Sequence, residues 1–193
     1  MLRDEPTSWP VVGTHDIHRD DWVVAVREDQ VTTPDGGEPF GRLVIEHPGA
    51  VAVLAIDDED RVLVVRQYRH AVQATVVEIP AGLLDAAGES PLETAKRELQ
   101  EEAGHAAATW THLLTTLVSP GMTSQIFHFF LARDLTEIGH GDFVLEHEEA
   151  YMTREWVPFD ELLDAVLAGD ARNGATATAV MAYALRRQRG EVG

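Results

Sequence analysis

Glu98, Glu101 and Glu102 crowd three carboxylates into the string Arg97-Glu98-Leu99-Gln100-Glu101-Glu102. Like charges at helical spacing repel, so such a group needs either open solvent or a cation. On a helix Glu98 and Glu102, four apart, share a face bordering Leu99, while Glu101 falls farther round. Hard divalent ions such as Mg²⁺ take oxygen ligands of this kind. Arg97 stands four before Glu101, the spacing of a helical salt bridge, which would leave Glu98 and Glu102 for the metal. The competing reading is an acidic helix that merely solvates a surface.

The segment that must position these carboxylates carries its own start and stop signals. Ser90, Pro91 and Glu93 supply an N-cap hydroxyl, a proline at the first helical position and a capping-box carboxylate. Gly104 marks the far end as a left-handed residue. Between them Leu92, Ala95, Leu99 and Ala103 recur at spacings of three and four and form one apolar stripe. A tight run, Glu78-Ile79-Pro80-Ala81-Gly82, precedes the helix.

Gly82, Glu89, Arg97, Glu98, Leu99, Glu101, Glu102 and Gly104 together resemble the Nudix box, Gly-x5-Glu-x7-Arg-Glu-U-x-Glu-Glu-x-Gly-U, with U a bulky aliphatic residue. The chain departs from it twice. Six residues separate Gly82 from Glu89, and His105 occupies the last aliphatic position. The extra residue falls before the helix and leaves the register from Arg97 to Gly104 intact. Pro120, fifteen residues after His105, resembles a mark of the ADP-ribose pyrophosphatases within this family, particularly the actinobacterial type. Ser119-Pro120-Gly121, Glu78 to Gly82, and Arg66-Gln67-Tyr68-Arg69-His70 are similar to that subfamily too.

The resemblance implies an α+β fold, an αβα sandwich on a mixed central sheet. It places a small antiparallel β domain at residues 1–48, exchanged across a homodimer, ahead of a Nudix domain at 49–193. It implies Glu98 and Glu102 as ligands of Mg²⁺, with Mn²⁺ as a substitute, the Ala81 carbonyl as a further ligand and Glu101 in support. Glu78, Pro120 and Gly121 would lie at the substrate. A catalytic base is expected on the loop Glu146-His147-Glu148-Glu149, at Glu149 or, second, Glu148; the alternative is a loop of ordinary solvated acids. Arg27, Arg66 and Arg69 are the candidate substrate contacts, because a guanidinium offers bidentate bonds to phosphate and a flat face to adenine. The resemblance puts Arg69 near the phosphates and Arg27 near the base, against the plainer reading of a solvated edge arginine. The implied reaction is Mg²⁺-dependent hydrolysis of ADP-ribose to AMP and ribose 5-phosphate. Its rivals are another nucleoside diphosphate sugar or a dinucleotide as substrate, or a sensor that binds ADP-ribose without cutting it.

Composition narrows the classes. The 193 residues, 45% hydrophobic, suffice for one sizeable core. The net charge of −18 and a lone lysine, Lys96, argue against a nucleic-acid surface, which needs clustered cations. An anionic substrate must then be met by arginines or by bound metal; a salt-adapted host is another source of the acidity. Cysteine is absent, so disulfides and thiolate zinc sites are excluded. Neither a membrane-length apolar run nor a leader is evident, and a cytoplasmic protein is the expectation.

Along the chain, Asp21 to Val26 and Gly41 to Glu46 read as strands of a small sheet. Ala50 to Ile56 and Val62 to Tyr68, joined by Asp57-Asp58-Glu59-Asp60, read as a hairpin of buried strands. Further strands are expected at Val76 to Ile79, Leu113 to Val118, Ile126 to Ala132 and Glu155 to Val157. Helices are expected at Phe159 to Leu167 and Ala175 to Arg187.

Overall fold

The computed structural model describes residues 2–141, 143 and 147–192, the side chain of Glu149 excepted. The chain forms two compact units, Met1–Pro48 with Leu117–Gln125, and Gly49–Thr116 with Ile126–Gly193. Among the described residues no helix is long and apolar enough to cross a membrane.

The first unit is an antiparallel sheet of β1 (Val11–His18), β2 (Ala25–Val31) and β3 (Phe40–Glu46) in that order. The strand expected from Asp21 begins only at Ala25, because Asp20 accepts the Trp22 N–H at 2.9 Å and bends the chain there. β1 is exposed along its whole length and shows no alternation of buried and exposed residues, which is why its sequence gave no strand signal. The Leu117–Gln125 segment joins this unit through Ile45, whose N–H donates to Met122 and whose carbonyl accepts from Ser124.

The second unit holds the helices. β4 (Ala50–Ala55) lies in the four-stranded mixed sheet β7-β4-β9-β8, with β7 (Ala81–Leu83), β8 (His105–Leu117) and β9 (Ile126–Glu137). β5 (Arg61–Arg69), β6 (Ala74–Glu78) and β10 (Thr153–Pro158) make a second, antiparallel sheet in the order β10-β5-β6. The hairpin expected of β4 and β5 is therefore corrected. The acidic turn exists, with Asp57 N–H donating to the Arg61 carbonyl, but pairing stops at the single bridge Ile56 to Val62. Both hydrogen-bonding edges of β4 are taken, one by β7 antiparallel and the other by β9 parallel, so β5 is diverted to another sheet.

Two cores follow from the pleat of β4. Ala52, Leu54 and Ile56 face Val62, Val64, Phe129 and Leu131, covered by α2 (Phe159–Ala168) and α3 (Gly174–Gln188) through Phe159, Leu162, Val180 and Tyr183. Val51, Val53 and Ala55 face the opposite way onto Ala95, Leu99 and Ala103 of α1 (Pro91–Ala103). Helices on both faces of a mixed sheet make the expected αβα sandwich.

Candidate functional site

Helix α1 begins and ends where its local chemistry dictates. The Ser90 hydroxyl accepts the Glu93 N–H and the Glu93 carboxylate accepts the Ser90 N–H at 2.8 Å, a complete capping box. Gly104 ends the helix at φ 70°. The apolar stripe draws its neighbours inward with it, leaving Glu98 9% and Glu102 6% exposed. Carboxylates that deep are not solvating a surface, which removes the competing reading of the acidic helix.

Each of these carboxylates has a defined partner. Arg97 Nη1 donates to Glu98 at 2.7 Å and to Glu101 at 2.9 Å, and its Nε donates to Glu89 at 3.2 Å. The expected division of labour is thus only half met: Arg97 does hold Glu101, but it holds Glu98 as well. A planar guanidinium with five donors can serve several carboxylates at once where an ammonium cannot. The Glu102 carboxylate accepts the Ala81 N–H at 2.8 Å, fastening β7 to α1. On the facing strand Gly82 makes room for Glu98: a Cβ there would lie 2.0 Å from the carboxyl carbon.

The electrostatics of Glu98 follow. Burial, with Glu101 adding to it and Arg97 opposing it, pushes its pKa from 4.5 up to about 7. Burial works against the charge of Arg97, but Glu98, Glu101 and Glu89 outweigh it and hold the guanidinium above its ordinary range.

These residues fit a hard divalent cation. No group of three or more His, Cys, Asp or Glu side chains among the described residues is arranged to hold a metal unaided. Magnesium, however, is commonly held by one or two carboxylates, with waters and substrate phosphates completing its shell. A buried carboxylate seated in a cradle cleared of any Cβ, as Glu98 is, has the oxygen chemistry that such a ligand requires.

A second cluster lies where β6 runs into β7. Arg69 grips Glu78 through two donors on one edge, Nε at 3.0 Å and Nη2 at 2.6 Å, and Glu78 is only 4% exposed. Three residues farther on stands Ala81, so one short run links this pair to the carboxylates of α1. Arg66 instead pairs with Glu155 of the neighbouring strand at 2.5 Å, with both side chains exposed. Arg27, Pro120 and Gly121 belong to the first unit, where Arg27 is engaged by Asp29 and Glu46. Glu148 is exposed and its carbonyl accepts the Tyr151 N–H. The side chain of Glu149, the first choice for the base, and the whole of Glu146 lie outside the described residues.

Three neighbours escaped sequence reasoning. His140 Nδ1 bonds the Glu101 carbonyl at 2.9 Å and Arg154 Nε donates to the Glu102 carbonyl, so both occupy orphan acceptors at the end of α1. Asn173 donates to Glu78 at 3.1 Å across 95 residues of sequence. None sits at a spacing that a motif records; only Arg154, a cationic side chain, and His140, a ring N–H donor, are of types drawn to the carbonyls of a helix C-terminus.

A NUDIX domain model matches residues 46–177. The chain is 43% identical over 160 residues to an ADP-ribose pyrophosphatase of Mycobacterium tuberculosis, spanning 83% of this chain and 76% of that protein. It is 36% identical over 164 residues to an ADP-ribose pyrophosphatase of Bacillus subtilis, spanning 85% of this chain and 86% of that one. A crystal structure of an ADP compounds hydrolase aligns with a TM-score of 0.77 over 98% of this chain and 100% of the other at 20% identity, a likeness of fold.

Proposed function

Because the chain belongs to the Nudix family, we propose that it hydrolyses the pyrophosphate of ADP-ribose to AMP and ribose 5-phosphate with Mg²⁺, or Mn²⁺ in its place. The substrate assignment is carried by the likeness to ADP-ribose pyrophosphatases over more than four-fifths of the chain. Glu98, Glu102 and the Ala81 carbonyl hold the cation, with Glu101 in support. When bound, the cation neutralises diphosphate oxygens and lowers the pKa of a water. Arg97 keeps Glu98 and Glu101 in place by its shared fork. Arg69, set by Glu78, meets the diphosphate, and Glu149, or failing it Glu148, takes the proton from the attacking water.

The test is release of AMP from ADP-ribose with Mg²⁺, run beside ADP-glucose. Faster turnover of ADP-ribose, by about tenfold or more in kcat/KM, is the expected result. A preference for ADP-glucose overturns the substrate, and tight binding of ADP-ribose without AMP release makes the protein a sensor.

A homodimer belongs to the same proposal. In the first unit Val11, Val12 and Ile17 of β1 and Trp22 of the bend that follows are more than half exposed, and a second copy would cover apolar surface of that extent. A solution mass equal to one 21.2 kDa chain would remove this part of the reading.

A further inference from the structure

We propose that Asn173 is a positioning residue for the substrate, acting through Glu78 on Arg69. The inference rests on the reading that Arg69 meets the diphosphate. Asn173 is the N-cap of α3, and its Oδ1 accepts two bonds from Thr176, from the N–H at 2.9 Å and from the hydroxyl at 3.2 Å. With both donors on the oxygen, the amide is fixed in one orientation, and Nδ2 is turned to Glu78 Oε1 at 3.1 Å. The Thr176 hydroxyl in turn accepts the Ile79 N–H at 3.2 Å, which pins the backbone one residue past Glu78. Thr176 is fully buried and Glu78 nearly so, whereas the Arg69 side chain is 46% exposed.

This arrangement is a lever from a rigid helix start to a half-exposed arginine. Without Asn173 the Glu78 carboxylate would keep its bonds to Arg69 but lose the one that ties it to the start of α3. The third donor from Asn173 fixes the carboxylate plane, and the paired edge of the guanidinium must follow that plane. An amide is needed for this, because its two ends do different work: the oxygen caps α3 and the nitrogen holds Glu78. Serine or threonine can cap a helix almost as well as asparagine, but their hydroxyls stop short of Glu78. Capping and positioning are therefore separable in one substitution.

The experiment is steady-state hydrolysis of ADP-ribose by the parent, Asn173→Ser, Arg69→Lys and the double variant, with melting temperatures. Asn173→Ser is expected to raise KM about tenfold with kcat within about twofold, since a bond to a charged group is lost away from the reacting atoms. Its melting temperature should fall by no more than several degrees, about what one bond to the buried Glu78 contributes, because the cap remains. In the Arg69→Lys background the same substitution should change KM by less than about twofold, the signature of two residues acting through one contact. An unchanged KM, or an equal factor in both backgrounds, overturns the proposal. If Asn173→Ser fails to fold, Asn173→Thr carries the same comparison. Absence of turnover in the parent would sink the assigned reaction and this inference with it, whereas a normal parent beside an unaltered variant sinks the inference alone.

Discussion

Glu98→Gln should lose about 10³-fold in turnover of ADP-ribose, about 4 kcal/mol of transition-state stabilisation, while the metal-free protein becomes more stable than the parent at pH 8. The opposed directions have one cause. Burial lifts the Glu98 pKa from 4.5 to about 7, so the folded chain binds a proton that the unfolded chain has already released. Below the unfolded value both states are protonated and nothing is lost. Between pH 4.5 and about 7 the unfolded state ionises alone, and stability falls as pH rises. Above that window the penalty is constant at about 3 kcal/mol. Glutamine has no charge to desolvate and escapes it. A divalent cation favours the ionised carboxylate, so Mg²⁺ should raise the parent's melting temperature most above neutral pH and release a proton on binding below it. Melting curves of parent and Glu98→Gln in chelator and in Mg²⁺, at pH 5 and pH 8, read all of these. A parent in chelator that melts alike at both values, or a variant that turns over like the parent, removes Glu98 from its assigned role.

The sequence disclosed α1 almost completely because everything that defines it is local. The capping box spans four residues, the C-terminal glycine is adjacent, and the apolar stripe recurs within one helix. The same locality explains the failures. Ala50 to Ile56 and Val62 to Tyr68 are apolar runs with a good turn between them, and nothing in either run tells that β7 and β9 claim both edges of β4. The start of β8 at His105 was hidden for another reason: Ala106 to Thr109 are small residues with no clear alternation, and the visible signal began eight residues after His105 at Leu113. Within the site, the i to i+4 rule found Arg97 with Glu101 but not its hold on Glu98 and Glu89, because spacing along a helix says nothing of where a long fork will turn once its neighbours are buried. Asn173 and Arg154 were beyond reach altogether, since their bonds to Glu78 and to the Glu102 carbonyl span separate strands and helices. Motifs record the residues nearest the chemistry; the groups that aim them are recorded only by the fold.

Gly82→Ala should separate activity from stability as sharply as any change at this site. The usual reason for an indispensable glycine is a left-handed backbone, and Gly82 is not among the residues with positive φ. Alanine is therefore compatible with its strand conformation, and β7 needs no rearrangement to accept it. What alanine cannot share is the space held by Glu98, with the carboxyl carbon 2.0 Å, Oε1 2.1 Å and Cγ 2.5 Å from the added methyl. The groups in the way all belong to one flexible side chain and none to the backbone, so the clash is relieved by turning the Glu98 side chain aside from its Cγ outward. The fold loses little, within about 1 kcal/mol, because the displaced group is one whose burial was already unfavourable. With Glu98 as the proposed ligand, a carboxylate moved by an ångström would no longer meet the cation and the diphosphate together, and a fall of about 10²-fold in kcat/KM is expected. The rise in melting temperature that Mg²⁺ gives the parent above neutral pH should shrink in step. Near-parental activity in Gly82→Ala would mean that Glu98 need not occupy this cradle, whereas unfolding would mean that the glycine serves the strand and not the carboxylate.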